Sequence, residues 1–432
     1  MGKKITIAIF CVILFGFTIA SIVYPDASYS VRERDTLTTL SDVTEDGDLL
    51  LMLSDLASGD FQETYEEYVD DQFFLRETWI DLSTTVSTLL GKQDVNGVYI
   101  GKDGYLLERY TDEYFLDLEE DDFTAEDDPL WVCNAQALSE FLAAMTAEYG
   151  SGAVHLLMIP SKANVLTDDL PDLASVYPED EIVEEICTLV DDAACEYGLT
   201  DDTGEEIEEL SEKIVLDLTD VLSAHQDEYI YYRTDHHWTT RGAYYAAAAY
   251  LELCGMEAAP LDSYESETAT ETFYGTTYNK LHTNTTADTI TLYHSEDLEH
   301  LTVNQNDGEL VSDSLYFYDN LTDYTDEELL EMVEDDEEIN DKYSVFLNGN
   351  TQKIVIETGA GTGRTLLLLK DSFANSFVPF LCGSYDTIIL YDDRYEGDND
   401  IETILADYGD QITDVLVLYN VEKFMENTNF GL

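Results

Sequence analysis

The chain has 432 residues, 44% of them hydrophobic and 12% aromatic, which excludes a disordered chain and fits one large domain with insertions or two domains. It carries 93 acidic against 19 basic side chains, a formal net charge of −74. So acidic a surface repels phosphate backbones and anionic lipid, so nucleic acid is excluded as a partner.

Taken in order, the chain opens with Lys3 and Lys4 and then runs from Ile5 to Tyr24 without a charge. Twenty residues span about 30 Å as a helix. Residues 1–26 therefore read as a signal anchor, with a cleaved signal peptide as the alternative; either exports the rest. Residues 27–60 read as a polar tether. From Phe61 a helical pattern carries Tyr65, Tyr68, Phe73 and Trp79. Val95–Leu107 reads as a hairpin about Gly101–Gly104, and Thr111–Asp128 as an acidic loop. Trp131–Tyr149 and Asp180–Tyr197 have helical period, and Ala153–Pro160 is a short apolar run like a buried parallel strand. Cys187 and Cys195, about 12 Å apart on one helix, are too distant for a disulfide. No CxxC and no EF-hand spacing occurs, and the cysteines read mostly as small buried residues.

The stretch Tyr231–Tyr250 places Asp235, His236 and His237 in a row in a chain with only 7 histidines. Glu228–Tyr232 reads as a strand, and Thr239 or Thr240 as the N-cap of an alanine-rich helix. The two imidazoles and the carboxylate then sit on a strand-to-helix turn, as functional groups or as packed and capping side chains. A metal reading of Asp235, His236 and His237 lacks supporting spacing. Residues 255–345 read as an insertion decorating the core, with strand-like Thr289–His294 and Ser314–Tyr318 and a solvated helix at Glu327–Asp341.

The last ninety residues alternate strand and helix. Lys353–Glu357, Thr365–Leu369, Asp386–Tyr391 and Val415–Tyr419 are apolar strands; Ala374–Leu381 and Ile401–Tyr408 are helices. The pattern predicts a parallel sheet covered on both faces, with its site beyond the C-terminal strand ends. Lys370-Asp371-Ser372 follows one such strand. A serine there either caps the next helix or projects a hydroxyl into the cleft, with N–H groups beside it for an oxyanion. It needs a base and an orienting carboxylate, in any chain order.

The motifs DHHWTTRGAYYA (235–246) and LLLLKDSFANSFVPFL (366–381) resemble the bacterial DHHW proteins, relatives of the SGNH-hydrolase-like proteins of alginate O-acetylation. Asp71-Gln72-Phe73 with Arg76, Gly101–Leu106, Ile159–Asn164 and Asp393-Arg394-Tyr395 extend the resemblance over roughly residues 60–425. It implies an α/β, flavodoxin-like SGNH core over residues 61–432, with Asp235 orienting, His237 as base and Ser372 as nucleophile. Lys370 departs from the SGNH serine block, which has glycine there. No separate glycine and asparagine blocks are evident, which leaves His236, Asn375, Gly349, Arg394 and Tyr395 as candidates for substrate or oxyanion contact. The expected activity is cofactor-free O-acyl transfer, acetyl being the simplest group, on cell-surface polysaccharide, with a multi-span membrane acyltransferase as donor. Acetyl-ester hydrolysis and non-catalytic carbohydrate binding or assembly are the alternatives.

Overall fold

A computed structural model describes the chain except residues 1, 45–59, 112–128, 202, 284, 335–338, 396, 398, 429, 431 and 432. The acidic loop after Thr111, much of the tether and part of the Glu327–Asp341 run lie outside the described residues. Contacts divide the chain into two compact units: residues 1–96, 278–284 and 323–339, and residues 97–277, 285–322 and 340–432.

In the first unit, α1 (Gly2–Val23), α2 (Asp60–Asp71) and α3 (Arg76–Leu89) are the long helices. Phe17 meets Phe73 and Trp79 with ring centroids 6.0 and 5.7 Å apart. The Gln72 amide bonds both backbone groups of Ala27 at 3.0 Å. Several α1 side chains lie outside the described residues, and among those described no helix is long and apolar enough to cross a membrane.

The second unit is built on an eight-stranded sheet. Its strands, with those of two hairpins, are β1 (Val98–Ile100), β2 (Leu106–Glu108), β3 (Val154–Ile159), β4 (Val215–Asp217), β5 (Glu265–Phe273), β6 (Asp288–His294), β7 (Thr302–Gln305), β8 (Leu310–Ser312), β9 (Lys353–Glu357), β10 (Thr365–Lys370), β11 (Thr387–Tyr391) and β12 (Asp414–Asn420). The sheet order is β8-β7-β9-β11-β10-β12-β3-β4. From β11 to β4 every pairing is parallel. The first three strands, β8, β7 and β9, pair antiparallel. The fold is therefore α/β with a large, mostly parallel sheet. The expectation of a parallel β9 is corrected: apolar character reports burial on both faces, not strand direction. β7 and β8 come from the region read as an insertion, and they extend the sheet rather than decorate it.

Side chains alternate between two cores, as a pleated strand requires. Leu366, Leu368, Leu416 and Leu418 join one core, and Leu367, Leu369, Val415 and Val417 the other. Helices α4 (Leu130–Tyr149), α5 (Glu179–Tyr197) and α7 (Ile401–Tyr408) cover the second face. Helix α6 (Thr240–Leu253) packs its buried Ala243, Ala246, Ala247 and Tyr250 on the first. β1 and β2 form the expected hairpin.

Three local readings change. Glu228–Tyr232 is not a strand; only an isolated bridge joins Tyr231 to Trp238. Ser314–Tyr318 is irregular, with a single bridge from Tyr316 to Phe346. In both, aromatic and apolar residues serve core packing instead of a ladder. Ala374–Leu381 is one α-turn over Ala374–Phe377 followed by a 3-10 turn over Val378–Leu381. Pro379 has no N–H to continue the α ladder.

Candidate functional site

The loop carrying the histidines is closed by its own backbone. Tyr232 N–H donates to the His237 carbonyl at 3.2 Å, and Thr239 N–H to that of Ile230 at 2.8 Å. Thr239 is the N-cap of α6, its hydroxyl accepting from Gly242 N–H at 3.4 Å. Only glycine allows the helix start this close, since a Cβ on Gly242 would sit 2.4 Å from the Ile230 carbonyl oxygen.

Two buried charges fix the loop interior. Lys162, in the segment after β3, donates its Nζ to the carbonyls of Tyr232 and Asp235 at 2.9 and 2.7 Å. Asp288, at the start of β6, accepts from the N–H groups of Arg233 and Thr234 at 2.9 and 2.7 Å and from the Tyr229 and Thr234 hydroxyls. Burial pushes the Lys162 ammonium down to about 8. The carbonyls of Tyr232 and Asp235 and the N–H groups of Arg233 and Thr234 are thus paired by these side chains.

Across the cleft, β10 ends at Lys370 and the chain turns through Asp371 and Ser372. The Asp371 carboxylate accepts from Phe373 N–H at 2.9 Å and Asn420 N–H at 2.7 Å, tying the turn to the end of β12. Behind it, the fully buried Lys370 reaches Asp392 at 3.2 Å, Asn350 at 2.7 Å and Asn375 at 3.0 Å. Burial drives the Lys370 ammonium down against the pull of Asp392. Burial would raise the Asp392 carboxyl, yet Lys370 and Arg394 hold it below the usual carboxylate range.

These two turns bring Ser372, His237 and Asp235 into one hydrogen-bonded chain. The His237 Nε2 lies 2.7 Å from Ser372 Oγ. Its Nδ1 lies 2.6 Å from Asp235 Oδ1, which also accepts the His237 backbone N–H at 2.9 Å. Burial would raise the Asp235 carboxyl, but both imidazoles and the His237 bonds hold it well below the carboxylate range. Tyr343 stacks on the His237 ring at 3.9 Å and 11°, and its hydroxyl donates to the Ser372 carbonyl at 3.1 Å. Trp238 Nε1 donates to the Phe373 carbonyl at 3.0 Å, joining the two turns directly. Ser372 is not a helix cap: the following turn has no side-chain cap.

The remaining candidates are placed differently. His236 bonds Thr276 Oγ1 through Nδ1 at 2.7 Å and lies beside His237, ring centroids 3.9 Å apart. The Asn375 amide is spent on Lys370, Asn350 and the Gly349 carbonyl, and it makes no bond to the Ser372–His237–Asp235 chain. Arg394 binds Asp392 at 2.8 and 2.7 Å, and Tyr395 is 41% exposed. Asp235, His236 and His237 are close enough together to hold a cation, but His237 spends both ring nitrogens on Asp235 and Ser372. Sequence reasoning missed Lys162, Gly275, Thr276, Asp288 and Tyr343. Lys162 was visible only as part of the Ile159–Asn164 motif; the others carried no local signal.

Fold and site together define an α/β protein with a serine–imidazole–carboxylate chain at the C-terminal edge of a mostly parallel sheet. Residues 213–391 match the family model described as DHHW protein, so the DHHW resemblance read from the motifs is borne out over that stretch. Among solved structures, a DHHW family protein from Eubacterium siraeum is 24% identical, with a TM-score of 0.54 over 78% of this chain and 94% of that one. Bacillus cereus PatB1, solved with a sulfonyl adduct, is 19% identical with a TM-score of 0.49 over 76% of this chain and 98% of that one. The O-acetyltransferase domain of Pseudomonas putida AlgJ is 13% identical with a TM-score of 0.39 over 77% and 93%. No curated protein matches the chain.

Proposed function

We propose that the protein is a serine-dependent O-acyltransferase of the SGNH-like kind, acting outside the cytoplasm on cell-surface or exopolysaccharide sugar. The observation that carries this reading is the unbroken chain from Ser372 Oγ through His237 to Asp235. Ser372 attacks the donor's carbonyl carbon while His237 Nε2 takes the hydroxyl proton. Asp235 holds Nδ1–H and stabilises the imidazolium that forms. The Ser372 backbone N–H, which makes no hydrogen bond among the described residues, is the donor for the tetrahedral oxyanion. His237 then protonates the leaving oxygen. An acceptor hydroxyl attacks the acyl-Ser372 carbonyl, its proton passing through His237 back to Ser372 Oγ. Water in place of the acceptor makes the same site an esterase.

The uncharged run Ile5–Tyr24, all but its last residue in α1, supports an anchor with the lysines inside and the catalytic unit outside. A multi-span membrane acyltransferase is the matching donor, since acyl groups originate inside. Acetyl is the acyl group of choice, and no cofactor enters the reaction.

Incubation with an aryl acetate tests the chemistry. The expected result is a burst of phenol and an acetyl group on a peptide containing Ser372, both absent from Ser372→Ala. Wild-type protein that neither releases phenol nor carries acetyl at Ser372 overturns the reading. Protease added to spheroplasts tests the topology and should degrade the chain beyond Tyr24.

A further inference from the structure

Asp235 has two carboxylate oxygens, and only Oδ1 serves His237. Oδ2 accepts from Thr276 N–H at 3.0 Å and from the Thr276 hydroxyl at 3.2 Å. That hydroxyl also lies 2.7 Å from His236 Nδ1. A hydroxyl has one hydrogen. With it committed to the carboxylate, Thr276 Oγ1 is an acceptor toward His236, and His236 must donate from Nδ1. The carboxylate thereby fixes the tautomer of both imidazoles, directly for His237 and through Thr276 for His236. Burial and the neighbouring His237 also keep the His236 ring far below its ordinary value, hence neutral.

A neutral Nδ1–H ring has a lone pair on Nε2. Among the described residues that nitrogen makes no hydrogen bond. The ring lines a small pocket together with Glu108, Ser161, Phe373, Asn420 and Glu422. Glu108 is held there by the Tyr110 hydroxyl at 3.0 Å and the Thr277 hydroxyl at 2.8 Å. Once Ser372 is acylated it no longer donates to His237, whose Nε2 becomes a second free lone pair. The two acceptor nitrogens then belong to neighbouring rings whose centroids lie 3.9 Å apart.

We propose that His236 and His237 together read a vicinal diol: His237 takes the proton of the reacting hydroxyl, and His236 accepts a hydrogen bond from the hydroxyl on the adjacent carbon. Thr276 is a positioning residue that sets His236 as an acceptor. The inference rests on the acyl-transfer reading and names its acceptor class, a sugar or other polyol with adjacent free hydroxyls. His236 moves no proton in this scheme, so the balance of the transfer is unchanged.

Two measurements test it on the full chain. In ¹⁵N-histidine NMR at neutral pH, His236 should show a protonated Nδ1 and an unprotonated Nε2. Thr276→Val should abolish that preference and Thr276→Ser restore it. An Nε2–H tautomer in the wild type overturns the proposal, whether or not the protein turns over any ester. In the second measurement an aryl acetate is the donor. A methyl glycoside with a vicinal diol competes with its deoxy counterpart, which lacks the neighbouring hydroxyl. Wild type should prefer the diol by about tenfold or more, and His236→Ala should lose most of that preference while its phenol burst falls far less. Equal use of both acceptors by the wild type overturns the proposal and leaves the acyl-transfer reading standing. A missing burst overturns the acyl-transfer reading instead.

Discussion

Asp235→Asn isolates what the carboxylate does. An amide keeps the shape but offers His237 either a donor or a weaker acceptor, so the ring loses its tautomer. In a comparable triad that substitution costs about 10⁴ in kcat; a loss of roughly that order in aryl-acetate turnover is expected, with the melting temperature close to wild type. Glu179 and Glu422 give the fold a pH dependence of their own. Both are buried, and burial raises both carboxyls, Glu422 further by the charge of Glu179. A raised folded pKa means the folded state holds the proton more tightly. Their contribution is therefore fully present below the ordinary carboxyl value and declines as pH rises through the raised folded values. Glu422→Gln removes one ionisation and should raise the melting temperature more at pH 8 than at pH 5. An equal change at both pH values refutes the sign. Of the site's side chains, Asp235, His237 and Ser372 were legible because adjacency and a strand-end position are local properties. Thr276 and Asp288 were not: they act on a loop 41 and 54 residues away, through contacts that no spacing rule encodes.

The loop Arg233–His237 is an element without regular structure, and its shape depends on what is packed against it. A Cβ on Gly275 would fall 2.1 Å from Asp235 Oδ2. Gly275→Ala should push the carboxylate off His237 and lower kcat with little change in donor KM. Unaltered turnover would mean the loop is softer than its bonding suggests. Asp288→Ala strips the shared acceptor from two backbone N–H groups and two hydroxyls, at a cost on the order of 3 kcal/mol in urea unfolding. The regular elements were legible because the leucine and valine runs of β10 and β12 and the period of α4 and α5 are strong local signals. Glu228–Tyr232 was misread for the same reason the site exists. Its aromatic residues satisfy strand propensity, but Lys162 and Asp288 hold the backbone that follows in a loop, a tertiary arrangement overriding local preference. The antiparallel direction of β9 was equally hidden, since direction is fixed by connection and not by composition.

At the scale of the molecule, 93 carboxylates against 19 cations leave most surface charge uncompensated. Their repulsion is screened over about 10 Å at 0.1 M salt. The melting temperature should rise between 10 and 200 mM NaCl, and a flat response would show that the carboxylates are already paired or too far apart to interact. The strand order has a consequence of another kind. β12, residues 414–420, lies between β10 and β3 and joins the two halves of the parallel array. During synthesis β3 leaves the ribosome more than two hundred residues before its neighbour exists. Until then the edge of β3 that pairs with β12 has no partner strand, and Asp371, beside Ser372, lacks the Asn420 N–H that anchors it. The parallel array of this unit therefore closes only once residues 414–420 have been made, which leaves its inner strand edges unpaired until late. A chain ended after Thr413 should be degraded or aggregate, and adding residues 414–432 as a separate peptide should recover soluble, ester-cleaving protein.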